Sequence, residues 1–264
     1  MTSGPGSLRE ALDRAVCVAV SGRNTAVAFS GGLDSGIVAA MVKEHAEQAT
    51  LYTVGTENSH DVREAETSAG ELGMPWVRIP VCEDDIIEGL REMIAVTGTK
   101  DPVTLSFELP LFFVCKNCRE HDVIAGQGAD ELFAGYSKYI GLGAEDLRMR
   151  MAADMRTLLD ITLPHEKKVA EHFGKRIHYP FLDEAAVREA GMFDLGDIAP
   201  SDDPASRKRI LREISDMLGY RGISGKEKKA AQYGSGVMTL IKKICRNKGV
   251  TYAELIRMLS DEVR

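Results

Sequence analysis

The chain has 264 residues, 44% hydrophobic and 28% charged, and its 33 Lys and Arg against 40 Asp and Glu give a formal net charge of −7. That length suits one large α/β domain, with or without a helical extension, and the acidic balance argues against a protein coated with nucleic acid. No apolar run approaches the roughly 18 residues that span a membrane and the first six residues carry no signal pattern, so a cytoplasmic location is expected.

Residues 7 to 20 place Leu8, Leu12, Ala15, Val16 and Ala19 at helical spacing, which predicts a helix packed as a lid on a sheet. Residues 25 to 29 then read as a strand that runs into Ser30-Gly31-Gly32-Leu33-Asp34-Ser35-Gly36, after which an Ala-rich helical pattern begins at Ile37. Glycines in such a turn let the backbone approach a ligand, and the first free N–H groups of the following helix favour an anion. Ser30 and Ser35 add hydroxyl donors. Asp34 would repel a bound phosphate unless a divalent cation lay between them, and the GxxxxGK pattern of a Walker loop is absent. The loop therefore reads as a holder of magnesium-bound pyrophosphate.

Residues 50 to 54, closed by Gly55, form the second predicted strand. Asp61 to Glu64 has capping-box spacing, and Val62, Ala65, Ala69 and Leu72 follow on one helical face up to Gly73. His60 reads as a cap or a solvent-facing residue. Residues 74 to 81, with Trp76, give a third strand, residues 84 to 93 a helix, residues 97 to 110 a loop rich in turn signals, and residues 109 to 118 a buried apolar helix. The cysteines number five, Cys17, Cys82, Cys115, Cys118 and Cys245, in a chain too large to need disulfide staples. Cys115 and Cys118 make a CxxC without a second pair and follow an apolar run, so they are read as packed side chains.

A fourth strand at residues 122 to 125 leads into Gly126-Gln127-Gly128-Ala129-Asp130-Glu131-Leu132-Phe133-Ala134-Gly135-Tyr136. The loop repeats the logic of the first: two glycines, then a helix start at about Ala129, with Asp130 in its first turn where it can reach a metal held by phosphate. The alternation of strands and helices predicts a doubly wound parallel sheet of about five strands, with ligands beyond the carboxyl ends of the strands.

SGGLDS after a strand resembles the pyrophosphate loop of the ATP pyrophosphatases, enzymes of adenine nucleotide α-hydrolase-like fold that adenylate a substrate and release pyrophosphate. GQGADELFAGY resembles the GEGADELFGGY-type motif of the asparagine synthetase family within that group. Tyr179-Pro180-Phe181-Leu182-Asp183 is similar to the family's PFLD element, and residues 226 to 236 (KEKKAAQYGSG) to its lysine loop. The likeness runs in order from about Ala26 to Gly236. It implies the synthetase half of such an enzyme in a stand-alone form, since the usual N-terminal glutaminase domain does not precede the first loop.

The resemblance implies ATP and magnesium as cofactors. It places Ser30, Gly31, Gly32, Asp34 and Ser35 on the pyrophosphate, Asp34 and Asp130 on the metal, and the backbones of Ala28 or Phe29, Val54 and Gly126 near adenosine. Lys228 becomes the catalytic lysine, neutralising charge on the α-phosphate during adenylation, and Lys226 takes the place of the motif's arginine beside the phosphates. Gln127 stands at the catalytic position where the family carries a carboxylate, and a neutral amide cannot act as a base. His178-Tyr179 stands where an arginine precedes PFLD. Adenylation is therefore better supported than asparagine as product.

Ser206 reads as a cap for a helix bearing Ile210, Leu211, Ile214, Met217 and Leu218 that ends at Gly219, and residues 237 to 245 and the box Thr251 to Glu254 give two more helices. Residues 205 to 248 hold twelve Lys or Arg against three acids, suited to screening a triphosphate. The expected organisation is an N-terminal helix over residues 1–24, an α/β core over 25–200 and a helical extension with the lysine loop over 201–264. The expected reaction activates a carboxylate, aspartate first, as an acyl-adenylate that ammonia or another amine attacks to give an amide and AMP. Ammonia would come from solution or from a separate glutaminase subunit; a homodimer is an open option, and neither nucleic acid nor membrane is an expected partner. The alternatives are adenylation of a different carboxylate or a tRNA base, and a nucleotide-binding subunit with little activity alone.

Overall fold

A computed structural model describes residues 4–198, 207–225 and 231–262. From the amino end, α1 (Pro5–Val20) precedes β1 (Asn24–Ala28), and α2 (Leu33–His45), β2 (Gln48–Gly55), α3 (His60–Leu72), β3 (Trp76–Pro80), α4 (Glu83–Thr97) and α5 (Pro102–Asn117) follow. Next come β4 (Asp122–Ile124), the single turn α6 (Ala129–Leu132), and a long helical passage made of α7 (Ala144–Thr157), a π-type stretch at Leu158–Thr162 and α8 (Leu163–His172). This passage delivers the chain to β5 (Arg176–His178). Beyond it lie α9 (Glu184–Ala190), α10 (Leu195–Ile198), α11 (Arg209–Met217), α12 (Arg221–Ser224), α13 (Ala231–Gly234), α14 (Val237–Lys248) and α15 (Tyr252–Glu262).

The five strands form one sheet in the order β3-β2-β1-β4-β5, and every pairing is parallel. The expected doubly wound sheet is therefore present. The chain builds outward from β1 through β2 to β3, then returns to lay β4 on the other side of β1. The crevice between the carboxyl ends of β1 and β4 is the place where a sheet of this kind takes its ligand.

Alternation along the central strands feeds two separate cores. Val27 and Leu51 join one, with residues of α1, α2, α3, α9 and α11; Ala26, Tyr52 and Val54 join the other, with residues of α4, α5, α8, α14 and α15. α2 is apolar nearly all round because α1 and α11 cover what the sheet leaves bare. α1, expected as a lid on the sheet, packs chiefly on the helices α2, α9 and α11. Cys115 and Cys118 are buried, and burial pushes both thiols up.

Two local expectations are corrected. Of residues 97 to 110, only 98–101 are a loop, and the rest is helical: Asp101 caps α5, accepting from the Thr104 N–H at 2.7 Å, Pro102 occupies the first turn and Pro110 lies inside the helix. The turn signals were helix-start signals, Asp at the cap and Pro just after it. α3 starts not from Asp61 but from Ser59, whose hydroxyl accepts from the Val62 N–H. At the far end Gly73, in the left-handed region, stops the helix as expected. The expected cap at Ser206 lies outside the described residues.

Candidate active site

β1 ends in the Ser30 to Ser35 loop and β4 in the Gly126 to Asp130 loop, so the two motifs meet at the crevice. Between them opens a cleft walled on one side by Ala28, Phe29, Tyr52, Thr53 and Val54, and at its floor by Ser30, Asp34, Ser35, Gly126 and Asp130. Phe107, Pro110, Leu111, Gln127, Tyr136 and Glu166 also line it.

The first loop is held by its own hydroxyls. Ser35 Oγ lies 3.2 Å from Ser30 Oγ, accepts from the Ser30 N–H at 3.3 Å and can donate to the Gly32 carbonyl at 3.3 Å. Gly31 sits at φ +75°, and a Cβ there would come within 2.3 Å of the Ala65 nitrogen. Its conformation thus packs the loop on α3, and Ser68 Oγ fastens the arrangement by donating to the Gly31 carbonyl at 2.9 Å. Opposite, Thr53 Oγ1 donates to the Phe29 carbonyl at 2.6 Å and accepts from the Trp76 indole at 2.9 Å, which fixes the β1 and β2 ends of the wall.

Asp34 and Asp130 converge as expected, and a cation lies between them. It is the ammonium of Lys208, 2.5 Å from Asp34 Oδ2 and 2.6 Å from Asp130 Oδ1. Lys208 is only 4% exposed and sits just before α11 with left-handed backbone, φ +57°. Gly135 completes the cradle: a Cβ there would lie 2.0 Å from Asp130 Oδ1 and 2.1 Å from Lys208 Cε. Two carboxylates around one positive charge form a hard-oxygen donor set of a kind that would also suit magnesium. Among the described residues no group of three or more His, Cys, Asp or Glu is arranged to hold a metal.

Gln127, also in the lining of the cleft, is tied to a carboxylate. Its side-chain amide donates to Glu166 Oε1 at 2.6 Å, and the Tyr179 hydroxyl donates to Glu166 Oε2 at 2.8 Å. Glu166 comes from α8 and is 2% exposed. Burial pushes its carboxyl up to about 7; the two hydrogen bonds work against this, and the charge of Glu131 adds to it. Behind it Glu108 of α5, also 2% exposed, is pushed by burial and by Glu166 up to about 9. His165 Nδ1 lies 3.3 Å from Glu108 Oε1, but burial and Lys168 hold the imidazole below its ordinary range, so the contact is between neutral groups. Tyr136 donates to Glu131 at 2.6 Å.

Of the residues named from sequence, Ser30, Asp34, Ser35, Val54, Gly126, Gln127 and Asp130 line the cleft. Gly31 faces α3 instead, and Gly32 caps α2. Lys226 and Lys228 lie outside the described residues. His178 turns to the sheet, where it meets Asp122 at 2.8 Å, while Tyr179 turns to Glu166. Burial raises the Asp122 carboxyl, but His178, Arg176 and Arg23 outweigh it and hold the group below its ordinary range. Lys208 and Glu166 went unread in the sequence: the first is one of many basic residues near the start of α11, the second one acid in a mixed helical stretch.

A parallel sheet with these two loops at its switch point defines a nucleotide-binding α/β domain of ATP pyrophosphatase type. The asparagine synthase family model matches residues 7–142, and the chain belongs to that family. A Methanocaldococcus jannaschii protein named as an asparagine synthetase candidate of glutamine-hydrolysing type is 28% identical over 91% of this chain and 52% of its own length. The glutamine-hydrolysing asparagine synthetase of Sandersonia aurantiaca is 26% identical over 81% of this chain and 48% of its own. The chain thus spans about half the length of these curated relatives. Among solved structures, an NMN synthetase from Francisella tularensis superposes with a TM-score of 0.47 at 14% identity, covering 98% of this chain and 87% of that one.

Proposed function

We propose that this domain adenylates a carboxylate at the expense of ATP, releases pyrophosphate and passes the acyl group to an amine, with aspartate the first candidate carboxylate and ammonia the first candidate amine. The observation that carries this reading is the convergence of Asp34 and Asp130, from the loops after β1 and β4, on one positive charge at the floor of the cleft. The wall made by Ala28, Phe29, Tyr52 and Val54 is apolar and offers a flat purine the surface it needs. The Ser30 and Ser35 hydroxyls and the first N–H groups of α2 supply donors for a polyphosphate.

Asp34 and Asp130 would hold magnesium, and when bound the ion neutralises phosphate charge. The chain's own part is to orient and to compensate. Lys208 lies between the two carboxylates and keeps them together. Lys228 is proposed as the ammonium that stabilises charge developing on the α-phosphate; Ser235, a few residues beyond it, lines the cleft. Tyr136, Phe107 and Leu111, which line the cleft, would help keep water from a reactive acyl group.

Substrate-dependent release of pyrophosphate from ATP tests the proposal. Release with aspartate, or with another small carboxylate, supports it. Release with bulk tRNA alone would replace it by adenylation of a tRNA base, and release with none of these would leave a nucleotide-binding subunit. No helix among the described residues is long and apolar enough to cross a membrane.

A further inference from the structure

The cleft holds a carboxylate that lies outside the four motif segments read in the sequence. Glu166 reaches it from α8, far in sequence from both loops, and its two oxygens each accept one hydrogen bond, from Gln127 Nε2 at 2.6 Å and from the Tyr179 hydroxyl at 2.8 Å. Both donors come from motif segments, the second loop and the residue before Pro180. The groups facing Glu166 are Glu108 and Cys115 from α5, Glu131 from α6, Tyr179, and its neighbour His165. None of the Lys or Arg residues forms an ion pair with it among the described residues. Each carboxylate oxygen keeps a second lone pair for a further donor, and the residue lines the cleft beside Gln127.

We propose that the Glu166 carboxylate, not the Gln127 side chain, takes the proton from the attacking amine. Gln127 and Tyr179 are positioning residues: they fix the two oxygens and leave the remaining lone pairs toward the cleft. As the amine nitrogen bonds to the acyl carbon, one N–H proton passes to a Glu166 oxygen. The bond from that carbon to the phosphate oxygen breaks, and its electron pair leaves with AMP. A base is most effective when its pKa lies near working pH, and burial brings Glu166 to about 7. The loop amide therefore keeps the place of a carboxylate and hands its task to one supplied from the neighbouring helix.

This inference rests on the proposed acyl transfer, so its test separates the two half-reactions. With aspartate and magnesium ATP, exchange of pyrophosphate into ATP reports adenylation alone, whereas amide formation from ammonium chloride and hydroxamate formation from hydroxylamine report acyl transfer. Hydroxylamine is unprotonated and strongly nucleophilic at neutral pH and has little need of a base. Glu166→Gln, which preserves shape and keeps one acceptor oxygen, is expected to keep exchange and hydroxamate formation within about threefold of the parent while amide formation falls by about 100-fold or more. Equal loss of the ammonia and hydroxylamine reactions, or an unchanged ammonia rate, would overturn the assignment. Absence of exchange in the parent enzyme would instead strike at the adenylation reading and take this one with it. Tyr179→Phe provides the second reading: loss of one donor is expected to move the acidic limb of the ammonia-dependent pH profile upward, and an unmoved limb would contradict the positioning role.

Discussion

Asp34, in the first turn of α2, and Asp130, in α6, share one ammonium: Lys208 Nζ lies 2.5 Å from the first and 2.6 Å from the second. Two carboxylates so placed repel each other unless a cation intervenes, so the pair is a receptor for positive charge whichever cation fills it.

Lys208→Met removes that cation and keeps most of the apolar stem. Because it breaks a buried charge cluster from one side, it is expected to cost about 3 kcal/mol or more in metal-free buffer. Magnesium at millimolar concentration should recover part of the loss in the variant and have little effect on the parent. Urea unfolding with and without magnesium checks this; equal stability of variant and parent in metal-free buffer would show that the carboxylates do not depend on Lys208.

Gly135→Ala places a methyl carbon 2.0 Å from Asp130 Oδ1 and 2.1 Å from Lys208 Cε. The ammonium must then leave one carboxylate. The expected cost is about 1–3 kcal/mol of stability, with loss of pyrophosphate release. Thermal melting beside the release assay would reveal a tolerated methyl as a variant that matches the parent in both.

Lys228→Ala is expected to abolish pyrophosphate release and leave the melting temperature within about 2 °C of the parent, since a lysine that meets charge only in the transition state adds little to the fold. Release at the parental rate would remove Lys228 from the reaction.

Glu108 gives the protein a distinctive response to pH. Its folded carboxyl titrates at about 9, far above the ordinary 4.5, so between those values the folded chain holds a proton that the unfolded chain has released. Stability should therefore fall as pH rises from about 4.5 to about 9, and Glu166 adds a similar decline up to about 7. Glu108→Gln stays neutral throughout and should be more stable than the parent by about 1 kcal/mol or more near pH 8, with a smaller advantage near pH 5. Urea midpoints at the two pH values decide; a parent that gains stability across this range would contradict the assignment.

The parts of this molecule legible in sequence were those in which local pattern and final contact coincide. A strand, two glycines, a serine and an aspartate announce the β1 loop, and the β4 loop repeats the scheme, so Asp34 and Asp130 could be paired before any fold was known. Lys208 could not be read because its meaning is wholly tertiary: nothing near it sets it apart from Arg207 or Arg209, and its left-handed backbone belongs to the turn into α11. Glu166 was hidden in the same way, since a glutamate on a mixed helix reads as solvated until Gln127 and Tyr179 are seen to close over it. Pro102 and Pro110 misled for a different reason. Proline argues against helix only in an interior, and Pro102 stands in a first turn where its missing N–H costs nothing. Pro110 is the interior exception, carried by a helix whose apolar residues are buried on many sides.

The central claim is that Asp34 and Asp130 form the phosphate end of an adenylating site, and isotope exchange between labelled pyrophosphate and ATP tests it most directly. With magnesium and aspartate, or another accepted carboxylate, the parent enzyme is expected to exchange label only when the carboxylate is present, and Asp34→Asn and Asp130→Asn are each expected to slow exchange by about 100-fold or more. Exchange that survives both substitutions at the parental rate, or that no carboxylate evokes, would contradict the account.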